Sequence, residues 1–334
     1  MQRWTFSPDT TDPSAVPEFA QAVAALKAGR LVGVPTETVY GLAADASNPT
    51  ACAAIFAAKG RPHFNPLIAH VESLEAAQRH ALFNARALAL AEAFWPGALT
   101  LVLPKRADSP VCDLATAGLD SIALRVPAAP VMRALARAVG APLAAPSANR
   151  SGRISGTTAN AVAGDLGPAL AMLIDAGPTP VGVESTIVGL TGPEAVLLRP
   201  GGIARERIEQ LLGARLAAPA ASATTTEAPQ APGMLSSHYA PGARVRLNAT
   251  EVLPGEALMR FGPDLPQDAE QAVAVENLSP DGDLTQAAAR LFQALRRLDS
   301  SGAHSIAVMP VPENGLGEAI NDRLRRAAAP RPAT

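Results

Sequence analysis

Short apolar runs in the first two-thirds of the chain end, five times over, in a polar island. Each island pairs a backbone-bending Gly or Pro with a hydrogen-bonding side chain: PTETVYGL at 35–42, KGRPHFNPL at 59–67, RVP at 125–127, PSAN at 146–149 and LRPG at 198–201. Runs of three to six apolar residues are too short for helices and suit buried strands, here at 31–34, 67–71, 99–103, 121–125, 143–145, 170–175, 186–190 and 195–198. Stretches of helical length lie between them, at 17–28, 50–59, 81–94, 131–139 and 203–212. The first opens on Pro17 and stops at Gly29; the second takes Thr50 as its N-cap and closes on Gly60. Such alternation makes an α/β fold, and the strands that follow one another directly make its sheet mixed. Polar islands at strand ends then converge from distant loops, as a site for a polyanionic small molecule requires.

At 334 residues the chain exceeds what one core usually supports. Its composition changes at 213–232, which is mostly Ala, Pro, Ser and Thr with one Arg and one Glu. A segment so poor in large apolar residues reads as a linker of low order. It leads into PGMLSSHYAP at 232–241, richer in side-chain chemistry than a tether needs. Strands at 244–247, 257–261, 272–275 and 305–309 follow, with helices at 284–298 and 317–328. The expected organisation is a catalytic α/β domain at 13–212, a linker and lid at 213–242, and a smaller Rossmann-like α/β domain with a parallel sheet at 243–330.

Charge excludes some functions. A net charge of −2 gives no global field for nucleic acid or anionic membrane, so an anion has to be held locally. Cys52 and Cys112 stand 60 positions apart without a CxxC partner, against zinc-ribbon or thioredoxin chemistry and in favour of a reducing compartment. The opening MQRWTFSP has no apolar core like a signal peptide's, and no run approaches the ~20 apolar residues of a membrane span. A cytoplasmic location is expected.

Lys59 and Arg61 flank Gly60 at a helix exit, where both can aim at one anion or simply cap the helix C-terminus. Ser147 and Asn149 offer short polar side chains after a strand, or make an ordinary Asx/ST turn; Arg150, Arg153 and Ser155 beside them favour a ligand. Arg125 and Arg199 are charges at the tips of apolar strands, either snorkelling or clamping a carboxylate. His70 ends a strand and gains weight only through its neighbours. The five histidines show no HxxxH spacing, and neither a P-loop nor a GxSxG elbow occurs.

Taken in order, PTETVYGL, KGRPxxNPL with His70 behind it, WPGALT, ALRVP, APSAN, GVESTIV and LLRPG resemble the YrdC family of threonylcarbamoyl-adenylate synthases over about 31–203. PGMLSSHYAP and GLGEAINDRLRRA resemble the second domain of its long form. The resemblance implies a twisted sheet with a concave, locally basic cavity. It implies that L-threonine, bicarbonate and ATP give threonylcarbamoyl-AMP and pyrophosphate, with Mg2+ accompanying ATP. The product feeds threonylcarbamoyladenosine modification of tRNA through a downstream transferase complex. By motif position, Lys59, Arg61, Asn65, Ser121, Ser147, Asn149, Ser155, Arg199 and Ser236 face the nucleotide, with Lys59 and Arg61 positioning phosphate and no protein nucleophile. Thr38, His70, Arg125, Ala145 and Ser185 hold threonine, and His238 with Tyr239 forms the lid. One departure is the serines standing where an aromatic often precedes the His-Tyr pair. Two other functions use a similar cavity. One is an RNA-binding module without catalysis, which the net charge and the scarcity of aromatics oppose. The other is a carbamoyl transferase of the hydrogenase-maturation type, whose cysteine-rich modules this chain lacks.

Overall fold

The computed structural model describes residues 1–7, 10, 12–219 and 238–330. After strand β1 (Gln2–Thr5), helix α1 (Pro17–Lys27) starts on a proline that presets its first φ. Strands β2 (Leu31–Val34) and β3 (Gly41–Asp45) follow, the latter beginning at the end of the PTETVYGL island and not foreseen as a strand. Helix α2 (Pro49–Lys59) is capped by Asn48, whose Oδ1 accepts from the amides of Thr50 and Ala51. The cap is therefore two residues before Thr50, because Pro49 takes the first helical position. Gly60, at φ 60°, closes the helix and turns the chain toward Arg61.

Strand β4 (Ile68–His70) and short helix α3 (Leu74–Gln78) precede α4 (Ala85–Phe94). The last is shorter than expected, because Asn84 caps it while Ala81 bridges to Lys105. Then come β5 (Leu99–Pro104), α5 (Asp113–Thr116), β6 (Ser121–Arg125), α6 (Pro130–Val139), β7 (Leu143–Ala144), α7 (Ala159–Leu166), β8 (Leu170–Asp175), β9 (Thr186–Gly189), β10 (Val196–Arg199) and α8 (Arg205–Leu212).

Ten strands form one twisted mixed sheet in the order β1-β8-β2-β3-β7-β4-β6-β5-β9-β10. The pair β4 and β6 is parallel and in register His70 to Arg125, so both side chains leave the sheet at the same edge. Strand β7 runs antiparallel to β4, and the Ala145 amide donates to the Ile68 carbonyl at 3.1 Å, bringing the APSAN turn to that edge. Alternation divides β6 between two faces. Ile122 and Leu124 join the main core, while Ala123 lies on the other face with Ile68, Val102, Ile187 and Leu198.

The second sheet is fully parallel, ordered β11-β14-β12-β13, from β11 (Arg244–Arg246), β12 (Glu256–Arg260), β13 (Val275–Asn277) and β14 (Ser305–Val308). The strand foreseen at 272–275 begins three residues later, after a 3-10 turn at Ala269–Gln271. Helices α9 (Leu284–Asp299) and α10 (Leu316–Ala328) share one core with Met259, Ile306 and Val308. The opposite face, with Leu258 and Ala307, is covered by Ala249 and Val252 of a loop. A doubly wound Rossmann-like arrangement would put helices on both faces; here, among the described residues, both lie on one.

The chain after Gly213 is not featureless. Leu216 is buried in the first core, and the Ala217 amide donates to the Ala195 carbonyl at 2.9 Å, which caps the exposed edge of β10. The low-order expectation for 213–219 is thereby corrected. At the other end of that segment Tyr239 packs into the second core, which also receives Val39, Ile154 and Val183 of the first domain. Gly182 makes this docking possible. Its φ is +76°, and a Cβ there would stand 2.3 Å from the Ala288 carbonyl oxygen of α9.

Candidate functional site

One cavity gathers the expected residues. Thr38, Arg61, His70, Arg125, Ala145, Ser147, Ser185, Arg199, His238 and Tyr239 line it, together with Glu184. They come from eight separate loops and strand or helix ends. Lys59, Asn65, Asn149 and Ser155 stand one contact behind. The Lys59 Nζ donates to the Ser147 and Asn149 carbonyls at 2.5 Å each, clipping the APSAN turn to the end of α2. Asn65 holds Arg61: Nη2 donates to its Oδ1 at 2.7 Å and Nε to its carbonyl at 3.2 Å. The Asn149 Nδ2 donates to the Arg150 and Arg153 carbonyls, while its buried Oδ1 has no partner among the described residues.

Ser121 is not part of this lining. It begins β6, at the opposite end from Arg125, and borders a separate groove of about 540 Å³ with Val102, Pro104 and Leu198. Ser236 lies outside the described residues.

Two carboxylates that sequence reasoning gave no role stand among the cations. Arg125 donates through Nη2 to Glu37 Oε1 at 2.6 Å and through Nε to the Gly97 carbonyl at 3.1 Å. Burial pushes the Glu37 carboxyl up, but the Arg125 charge and hydrogen bonds outweigh it and hold Glu37 below its ordinary value. Its Oε2 is buried without a hydrogen-bond partner among the described residues. Glu184 accepts from Ser155 Oγ at 2.6 Å and from Arg323 Nε of α10 at 3.0 Å. Burial would raise its pKa, yet Arg323 first and Arg199 next bring it down to about 2. The lining is thus mixed in charge, not purely basic. Glu37 was hidden inside PTETVYGL and Glu184 inside GVESTIV. Arg323 did carry a signal: it falls in the apolar stripe of Ile320, Leu324 and Ala327 on an otherwise charged helix.

The remaining groups are tuned mainly by burial. His70 is driven down to about 3 by desolvation and then by Arg125, so its ring is neutral near pH 7, with Nδ1 lacking a hydrogen-bond partner among the described residues. His238 is lowered to about 3 for the same first reason. Burial lowers Lys59 well below its ordinary value, with Arg61 adding to the effect. Arg61 falls to about 9 through burial and the neighbouring Arg199. Arg199 donates to the Ser185 carbonyl at 2.8 Å, and Ser185 shares a hydrogen bond with Thr100 at 2.7 Å.

His238 and Tyr239 close one side. Tyr239 adopts φ 60°, uncommon for a non-glycine residue, stacks on Phe292 at 5.4 Å and lies under the Arg323 guanidinium at 5.5 Å. The enclosed space is about 40 Å³, far below the roughly 300 Å³ of an ordinary small-molecule pocket.

No helix among the described residues is long and apolar enough to cross a membrane, and none of their His, Cys, Asp and Glu side chains form a metal-holding cluster.

Known proteins are similar to this chain over nearly all of its length. Residues 24–201 match the Sua5–YciO–YrdC domain family, described as telomere recombination, and residues 203–329 match the C-terminal domain of threonylcarbamoyl-AMP synthase. The Bacillus subtilis threonylcarbamoyl-AMP synthase is 39% identical over 348 residues, spanning 99% of this chain and 98% of that protein. The Pyrococcus abyssi enzyme of the same name is 40% identical over 91% of this chain and 92% of its own. The crystal structure of P. abyssi Sua5 complexed with L-threonine superposes with a TM-score of 0.85 at 37% identity, covering 98% of this chain and 97% of that one. The chain therefore belongs to the two-domain threonylcarbamoyl-AMP synthase family.

Proposed function

We propose that the protein joins L-threonine, bicarbonate and ATP into L-threonylcarbamoyl-AMP, releasing pyrophosphate, for threonylcarbamoyladenosine modification of tRNA. The observation that carries this reading is the meeting of Arg125, His70, Thr38 and Ser185 with Arg61, Ser147 and Arg199 in one cavity. The first group suits an amino acid and the second a triphosphate.

Two bonds have to form. Threonine's amine, once deprotonated, attacks the carbon of bicarbonate and water leaves, giving a carbamate. A carbamate oxygen then attacks the α-phosphorus and pyrophosphate departs. Neither step needs a protein nucleophile. Alignment, neutralised phosphate charge and exclusion of water from a labile carbamate are sufficient. In this proposal Arg125 takes the threonine carboxylate beside Glu37, and Arg61 and Arg199 face the phosphates. Neutral His70 can accept a hydrogen bond from the amine where a charged imidazolium could not, but a ring held near 3 is not the base that takes its proton. Lys59 supports the nucleotide side from behind, through the two carbonyls it already holds.

The apolar strip of Ile68, Ala123, Val102 and Leu198 leads from the cavity toward the groove at Ser121. A base lying along it would bring Ser121 and the nucleotide together. Asn65, Asn149 and Ser155 are assigned to shaping that side, and Ala145 offers threonine its backbone. Magnesium belongs to the substrate as MgATP: both oxygens of Glu184 are engaged by Ser155 and Arg323, which leaves it poorly placed as a ligand. His238 and Tyr239 act as a lid.

The test is to incubate the full chain with ATP, bicarbonate and each amino acid in turn and measure pyrophosphate. Release that depends on threonine supports the assignment; release indifferent to the amino acid, or none, rejects it.

A further inference from the structure

The second domain contributes one side chain that the site's own motifs do not account for. Arg323 is fully buried, 0% exposed, although it lies on a helix whose other arginines reach solvent. Its Nε donates to Glu184 Oε2 at 3.0 Å, and its Nη1 donates to the Pro200 carbonyl at 2.6 Å and to Asp322 at 3.0 Å. Its guanidinium covers the Tyr239 ring at 5.5 Å. One side chain thus grips GVESTIV through Glu184, LLRPG through the carbonyl next to Arg199, and the strap through Tyr239. Glu184 and Tyr239 both line the cavity; Arg323 does not.

We propose that Arg323 is a positioning residue for the first-domain site, fixing the Glu184 carboxylate and the Tyr239 ring so that docking of the second domain sets the geometry around Ser185 and Arg199. This rests on the synthase reading for its activity assay but stands on contacts independent of it. A purely structural ion pair would sit between two surfaces. This one instead ties the ends of β9 and β10 to the only described part of the strap. A buried arginine facing a buried carboxylate is not itself a reason for stability, since desolvation offsets much of the attraction. Its geometric effect is the stronger argument: two motif loops meet on one planar fork.

Groups facing Glu184 are Ser155, Arg199, His238, Lys59, Tyr239 and Arg323, with Asp322 next to the last and shared with Arg326. Arg323 is the largest influence holding the carboxyl down.

The experiment compares full-length wild type, Arg323→Met, Arg323→Lys, Glu184→Gln and the Arg323→Met/Glu184→Gln pair. The readouts are threonine-dependent pyrophosphate kinetics, melting and hydrogen exchange. Arg323→Met should lower kcat by about tenfold or more, with smaller changes in KM. Lysine should recover the rate only in part, because it keeps the charge but cannot hold both partners. A folded Arg323→Met with wild-type kcat overturns the proposal. Should that variant melt, the neutral pair removes the unmet charge, and its kcat should match Glu184→Gln alone; a further tenfold drop would overturn the coupling. A wild type making no threonine-dependent pyrophosphate rejects the synthase reading only. The latch is then read from exchange at 182–185 and 199–202: faster in Arg323→Met supports it, unchanged overturns it.

Discussion

The two walls of the cavity are built by different physics. The wall carrying Thr38, His70, Arg125, Ala145 and Ser185 belongs to neighbouring strand ends, and its geometry follows from ladder register: pairing His70 with Arg125 places both at one edge. The wall carrying His238, Tyr239 and the Arg323 behind them comes from residues far along the chain. Among the described residues it is held there by Gly182 against α9, by the buried Arg323–Glu184 pair and by the Arg205–Glu318 and Arg296–Asp165 pairs across the same interface. The first wall forms with its own sheet; the second depends on contacts between the two domains.

That contrast is open to breaking. Beside the strand-end wall, at the exit of α2, Arg61→Ala removes a buried cation; loss of such a contact to developing charge costs roughly 2–4 kcal/mol, so pyrophosphate release should fall about a hundredfold or more. Near-wild-type turnover would remove Arg61 from the phosphate side. Gly182→Ala strikes the docked wall. With a left-handed φ and a Cβ 2.3 Å from the Ala288 oxygen, it should separate the domains, seen as faster exchange at 288–295, together with at least a tenfold loss of rate. Unchanged exchange and rate would mean that the interface tolerates what the geometry forbids. Leu216→Ala sharpens the comparison from the other side. A buried leucine lost from the first core costs about 2–5 kcal/mol, yet it lies away from both walls, so melting should fall while kcat at low temperature holds.

Acidification should reveal both walls together. His70 and His238 are held near 3, well below their ordinary value, so the unfolded chain binds protons that the native one refuses. Stability therefore declines from about pH 6.5 downward through these two. Glu184, near 2, adds a further decline between about pH 4.5 and 2 as its carboxylate is protonated. Urea midpoints measured from pH 8 to 4 should fall steadily; replacing His238 with Asn should flatten part of that slope, and an unchanged slope would contradict the assignment.

Much of the first wall was legible in the sequence because a polar residue ending an apolar run has one place to go. Lys59 and Arg61 around Gly60, Arg125 after Ile-Ala-Leu and Ser147 after Ala145-Pro146 each announce a strand or helix exit. Ser121 shows the limit of that reasoning: it shares β6 with Arg125 but occupies the other end, a distinction that strand spacing alone cannot turn into a site. The strand at Gly41–Asp45 was missed because its Gly, Leu and Ala residues resemble the turn that precedes it. Glu37, Glu184 and Arg323 were not assigned because a buried charge is recognised by its partner, and their partners lie 88 and 139 residues away. Leu216 is a lone apolar residue whose burial depends on the open edge of β10.

The most direct measurement is a pair of KM values for full-length Arg125→Ala against wild type, one for threonine and one for ATP, in the bicarbonate-dependent pyrophosphate assay. If strand-end register brings an amino-acid clamp beside a triphosphate grip, KM for threonine rises by about tenfold or more while KM for ATP changes less than about threefold. Equal changes in both, or none in either, would show that Arg125 does not hold the amino acid, and the division of the cavity into its two halves would fail.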